Sequence, residues 1–131
     1  GLRGYWPGEK EFARQREQGI TSFFMHDVRD RGIRAVVADA LERVGAGPVF
    51  VTVDIDVLDP AFAPGTGTPE PGGMTTGDLL WACREVAANV ELVGADVVEV
   101  IPTAVGSADI TALAADRVVR ELLTGLALAR T

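Results

Sequence analysis

Histidine and cysteine are nearly missing from this chain, with one of each in 131 residues. A lone histidine, His26, excludes a multi-histidine metal centre built from this segment alone, and it is more commonly a surface or packing residue than a catalytic one. A lone cysteine, Cys83, excludes an internal disulfide. With no signal-peptide pattern at the start, the expected setting is the reducing cytoplasm. No apolar run is long enough to cross a bilayer, so no membrane partner is expected. Positive charge is also scarce, with 12 Lys and Arg against 19 Asp and Glu, a formal net charge of -7. Phosphate binding needs a clustered basic surface, so nucleic acid is not an expected partner, and a small cationic molecule suits this balance better. Repeats and low-complexity tracts are absent. What remains, 47% hydrophobic and 24% charged residues, is enough to bury one ordinary core.

The hydrophobic pattern alternates between two periods. Residues 8–19 read as a short charged helix ended by Gly19, and residues 20–25 as a strand. From Arg31 onward Ile33, Val36, Val37, Ala40, Leu41 and Val44 recur at spacings of three and four, which predicts a helix stopped by Gly45 and Gly47. Residues 48–56, Pro-Val-Phe-Val-Thr-Val-Asp-Ile-Asp, form the β-branched and aromatic run expected of a parallel strand covered on both faces. A Gly- and Pro-rich loop over 57–73 leads to a helix capped by Thr75 or Thr76, with Leu79, Leu80, Cys83, Val86 and Ala87 inward. A second buried strand is expected over 92–101. A last helix, capped by Asp109, should pack through Leu113, Val119, Leu122, Leu123 and Leu126. Strands alternating with helices predict an α/β fold with a parallel sheet and helices on both sides, whose ligand site lies beyond the carboxyl ends of the strands. The opening Gly1-Leu2-Arg3-Gly4 lacks an initiator Met and reads as a strand already in progress, so the N-terminus is expected to be a cut.

The unusual polar residues stand at those strand ends. Asp54 and Asp56, two apart on a strand, would leave the same face with Cα atoms about 6.5 Å apart. Two carboxylates at the end of a buried strand are costly without a counter-charge, and a divalent metal with hard oxygen ligands removes that cost. Taken alone, the Asp-x-Asp pair is equally compatible with one acid capping a turn and the other facing solvent. Asp59, followed by Pro60, reads as a turn organiser. Glu99, inside Val97-Val98-Glu99-Val100-Ile101, would be desolvated and needs a cationic partner, either a ligand or an arginine such as Arg34 or Arg117. Asp96 would face the other way and be structural. Tyr5-Trp6-Pro7-Gly8 either lines the mouth of the site or packs against a helix or neighbouring subunit.

Thr52-Val53-Asp54-Ile55-Asp56, Pro60, Pro64-Gly65 and Gly73 occur together at the spacing of the ureohydrolase signature. The run from Asp54 to Gly73, the segment with Glu70 above all, resembles agmatinases and their guanidino-acid relatives more than arginases proper. The resemblance implies part of a three-layer α/β/α arginase-like fold, with residues 1–131 the C-terminal part of a single ureohydrolase domain. It implies hydrolysis of agmatine or a guanidino acid to urea and an amine at a centre of two Mn2+ per full-length subunit that activates water. It assigns Asp54 and Asp56 to the manganese ligands and Glu99, in Glu99-Val100-Ile101-Pro102, to the substrate guanidinium. A homo-oligomer, trimer or hexamer, is implied as well.

The family's other ligands, a histidine in a Gly-x-x-His context and an Asp-Ala-His-x-Asp motif, have no match here, so the isolated chain is expected to be inactive. After Pro102 many members carry a Tyr-Asp pair, whereas this chain has Thr103-Ala104-Val105-Gly106-Ser107-Ala108-Asp109, which leaves the substrate tail open. Two other readings compete. A non-catalytic subunit or oligomerisation module would keep the fold and lose the metals. A phosphatase of the haloacid dehalogenase type also ends a strand in Asp-x-Asp, but it places Thr or Val two residues after the second acid, where Leu58 stands here.

Overall fold

Capping chemistry and apolar spacing account for most of the helices. A computed structural model describes residues 2–5, 8–101 and 109–130. The elements run α1 (Glu9–Glu17), α2 (Met25–Arg31), α3 (Ile33–Val44), β1 (Pro48–Asp54), a 3-10 turn (Ile55–Val57), α4 (Thr76–Asn89), β2 (Glu91–Val98) and α5 (Ile110–Leu128). Thr75 starts α4 as expected: its hydroxyl accepts the Asp78 amide at 3.1 Å and donates to the Asp78 carboxylate at 2.7 Å. Such caps contribute about 1 kcal/mol. Asp109 starts α5 by accepting the Thr111 and Ala112 amides at 3.0 and 3.3 Å.

The strand expected over 20–25 does not form. Phe24 makes one isolated parallel bridge with Leu2, and the chain then enters α2, which the sequence pattern had not suggested. The reason is local: the Asp27 carboxylate reaches back to the Phe24 amide at 2.7 Å, satisfying a donor that an incipient helix leaves open. Gly32, at φ 81, separates α2 from α3, a conformation that costs glycine little.

β1 and β2 pair in parallel, joined through α4, with Val51 opposite Ala95, Val53 opposite Val97 and Asp54 opposite Val98. This register ends both strands at the same level. Among the described residues the strands are not covered on both faces. Residues along β1 alternate, Val49, Val51 and Val53 turning inward while Phe50 is 60% exposed, the pattern of a sheet with one face packed. Ile55 and Leu58, both essentially inaccessible, continue the core beyond β1 and join Met74, Leu79, Cys83, Ala87, Ala114, Val118 and Leu122 in one cluster. Each such fully buried aliphatic side chain stabilises the fold by about 1.5–3 kcal/mol. Cys83 lies in this cluster as expected, its thiol pushed up to about 12 by burial and by the nearby Glu121 charge, which leaves it unreactive.

The packing face of α5 differs in part from the expected one, with Leu122 buried and Leu126 half-buried as expected. Ala114, Val118, Leu122 and Gly125 are buried, whereas Leu113, Val119 and Leu123 are each more than two fifths exposed. Small residues decide the face, because they let α5 approach α4 closely; a side chain at Gly125 would collide with the Arg84 carbonyl and Ala87. The leucine-rich stripe instead borders a groove along β2.

Candidate functional site at the carboxyl ends of the strands

The site is built around Ile55. Its side chain is wholly buried, and the residues on either side of it are the two aspartates. β1 ends at Asp54, and the chain winds into the 3-10 turn, so the two acids do not share one strand face as expected. Instead Asp54 caps the turn that carries Asp56: its Oδ1 accepts the Asp56 amide at 3.0 Å. The carboxylate of Asp56 is held by the Thr68 hydroxyl, which donates to Oδ2 at 2.8 Å.

Glu99 departs further from expectation. β2 stops at Val98, and Glu99 stands one residue beyond it, exposed rather than buried in the strand. Its φ of 62 makes it the non-glycine residue with positive φ among the described residues. That backbone costs on the order of 1–3 kcal/mol and is kept where surrounding contacts over-determine it. The fixing contacts come from the loop 64–68. Ile101 donates its amide to the Gly65 carbonyl at 2.9 Å, and Gly65 donates to the Thr111 hydroxyl at 2.8 Å. Only glycine fits at 65, since a Cβ would stand 2.8 Å from the Ile101 carbonyl oxygen. A Cβ on Gly67 would lie 3.7 Å from Glu99 Oε2, which puts this loop directly against that carboxylate.

The register thus brings Asp54, Asp56 and Glu99 to one rim. The Asp54 carboxyl is pushed above its ordinary range, chiefly by burial and further by the charges of Asp56 and Glu99, against the pull of the Asp56 amide. None of the three pairs with a basic side chain among the described residues. The arginines that could have neutralised Glu99 are engaged elsewhere: Arg34 lies over the Trp81 ring at 4.5 Å, and Arg117 bonds Glu121 at 2.9 Å. No cluster of three or more metal-binding side chains occurs among the described residues, so the aspartates are at most part of a metal site.

Asp59 organises the following loop, as its Asp-Pro context predicts. It accepts the amides of Ala61, Gly72 and Gly73 at 3.0, 2.7 and 3.2 Å, which hold its carboxyl below the ordinary range. His26 is largely exposed and stacks on Phe24 at 5.3 Å, a packing role. Beside Asp56 lies a cleft of about 490 Å³ bordered by Arg3, Tyr5, Thr68 and Glu70. Trp6 and Pro7 and the loop Pro102 to Ala108, both singled out from the sequence, lie outside the described residues.

Sequence reasoning missed Thr68, Thr66 and Arg3. Thr66 is buried with its hydroxyl unpartnered among the described residues, and Arg3 bonds carbonyls on both site loops. The alternation Gly65-Thr66-Gly67-Thr68 was a usable signal for the threonines, because glycines flanking polar residues mark a close backbone approach. Arg3 carried no comparable signal.

An Arginase family profile matches residues 1–125. The chain belongs to the arginase family. This arginase-family chain is 49% identical over 130 residues to a guanidinopropionase from Pseudomonas aeruginosa, an alignment covering 97% of this chain and 39% of that protein. It is 48% identical over 105 residues to an agmatinase from Proteus mirabilis, covering 80% of this chain and 34% of the relative. The solved structure of proclavaminate amidino hydrolase from Streptomyces clavuligerus superposes with a TM-score of 0.85 at 38% identity, over 98% of this chain and 41% of the other. The α/β arginase-like architecture with a parallel sheet expected from the sequence therefore holds. The chain spans about three tenths to two fifths of the length of the curated relatives it matches.

Proposed function

We propose that these residues form the C-terminal part of a single ureohydrolase domain that hydrolyses a small guanidino compound, agmatine or a guanidino acid, to urea and an amine. The observation that supports it is the rim itself: three carboxylates gathered at two strand ends, none of them in an ion pair with a basic side chain among the described residues. Like charges so placed repel one another, and a cation shared between them relieves that repulsion.

The donor chemistry fits manganese in part. Asp54 and Asp56 offer hard oxygen ligands on adjoining backbone, and relief of their mutual repulsion favours a divalent ion there. No group of three or more His, Cys, Asp or Glu side chains suited to a metal occurs among the described residues, so on this reading the remaining ligands come from elsewhere in the protein. When bound, two Mn2+ supply the Lewis acidity that lets water attack at neutral pH.

On this reading Asp54 and Asp56 hold the metals. Glu99 grips the guanidinium through two parallel charge-assisted hydrogen bonds and fixes the carbon to be attacked. Its left-handed backbone turns the residue out of β2 at the level where Asp54 ends β1. The cleft beside Asp56 offers room for the substrate tail. A cytoplasmic homo-oligomer, trimer or hexamer, is the proposed working form.

The test is urea release by the full-length protein, with Mn2+ and a panel of agmatine, guanidinobutyrate and guanidinopropionate. Manganese retention with turnover of at least one member supports the assignment, and failure on all of them sinks it. The isolated 131-residue chain should release no urea; turnover by it would refute the proposed division of the site. A non-catalytic subunit would retain little manganese.

A further inference from the structure

Asp56 is held at both ends, by a hydroxyl at its carboxylate and by a guanidinium at its backbone. Arg3 Nη2 donates to the carbonyl of Asp56 at 2.6 Å and to that of Leu58 at 3.1 Å. The same group donates to the Glu70 carbonyl at 2.6 Å, and Nε reaches that carbonyl at 3.0 Å. One guanidinium therefore ties the segment before α1 to the turn that carries Asp56 and to the loop that follows Thr68. Two of these acceptors, the carbonyls of Asp56 and Leu58, stand at the end of a single 3-10 turn, the class of group that such an end leaves without an internal partner. The planar fork of arginine reaches several of them at once, which a lysine ammonium on its flexible stem does less well.

Two consequences follow for Asp56. Its backbone cannot rotate without giving up bonds to Arg3, and its carboxylate cannot swing without giving up the bond from Thr68. Asp54, whose Oδ1 accepts the Asp56 amide, is held through the same turn. We propose that Arg3 is a positioning residue that presets the Asp56 carboxylate for the metal by clamping the backbone of its turn to the Glu70 loop. This rests on the ureohydrolase reading above, and it assigns Arg3 no contact with substrate or metal. Loss of such a clamp lowers metal affinity because the ligand must be ordered at the moment of binding.

The experiment compares wild-type full-length protein with Arg3→Gln and Arg3→Lys. It measures the Mn2+ dissociation constant from the EPR signal of free Mn2+, the Tm of metal-free protein, and KM and kcat at saturating Mn2+. Arg3→Gln should weaken manganese binding about 10- to 100-fold while KM stays within roughly twofold, and Arg3→Lys should recover part of the affinity. A folded Arg3→Gln protein with wild-type manganese affinity overturns the proposal, as does a loss in both variants that merely follows their loss of folded protein. Should Arg3→Gln not fold, Arg3→Lys decides: weakened manganese binding at unchanged KM supports the clamp, and unchanged binding overturns it. Wild-type protein that neither binds Mn2+ nor releases urea is a different result, because it removes the ureohydrolase reading itself.

Discussion

Glu121 and the rim carboxylates are treated in opposite ways by the same fold. Glu121, in the middle of α5, is 3% exposed and receives two guanidiniums, Arg84 from α4 on one oxygen and Arg117 from its own helix on the other. Asp54, Asp56 and Glu99 stand closer to solvent and receive no basic side chain among the described residues. The pKa directions follow: hydrogen bonds from Arg84 lead the causes that hold Glu121 below the ordinary range, while burial and like charge push Asp54 above it. Where a carboxylate joins two helices, arginines supply the counter-charge; where carboxylates gather at strand ends, none of the described basic side chains forms an ion pair with them. The second arrangement favours an external cation.

The sharpest way to break this contrast is to remove the rim acids from the full-length protein. Asp56→Ala and Glu99→Gln should each lower urea release by about a hundredfold or more. Only Asp56→Ala should also abolish manganese retention, and loss of metal from Glu99→Gln would contradict the separation of roles. Next in size is Ile55→Ala. Deleting the buried anchor between the aspartates should cost about 3 kcal/mol in urea denaturation and loosen manganese binding with it. A stable variant with intact metal binding would show that Ile55 does not set the turn.

On the other side of the comparison, Glu121→Ala should destabilise by about 2–3 kcal/mol, because two arginines lose their partner while keeping access to water. The pH dependence then separates the two regions by sign. Glu121, with its pKa lowered by folding, contributes stability above its unfolded value, and that contribution is lost as pH falls through its folded value. Asp54, with its pKa raised, contributes in the opposite sense: stability is present below its unfolded value and is lost as pH rises through the raised one. Metal-free Asp54→Asn protein should therefore melt above wild type at neutral pH, with the gap closing in mild acid; equal Tm values at every pH would remove the electrostatic account. The smallest effect belongs to the exposed pair Asp116 and Arg120, 2.8 Å apart on the outer face of α5, whose separation should leave the Tm unmoved.

Much of the frame was legible because its causes are local. The places of Thr75 and Asp109 before apolar stripes mark them as caps, and the proline after Asp59 marks it as a turn organiser. Sequence and structure part where a second pattern competes. Residues 20–25 look like a strand, but the carboxylate of Asp27 claims the Phe24 amide for a helix. On α5 two apolar stripes coexist, and the leucine-rich one is the more hydrophobic, whereas the small residues that admit α4 set the buried face. The aliphatic neighbours of Glu99 suggest a buried strand residue, although the strand ends at Val98.

The sequence by itself determined the chemistry available to this protein: two aspartates around an isoleucine, a glutamate after a second apolar run, and glycines and threonines in the loop between. Those are covalent facts, read at short range. Only the tertiary structure decided that these groups meet. The register that sets Asp54 opposite Val98 brings Glu99 to the same rim, and Arg3 reaches Asp56 and Glu70 across 53 and 67 residues of chain. Contacts of that separation form because sheet pairing and core burial close the loops between them, and no local pattern encodes which distant carbonyl a guanidinium will find.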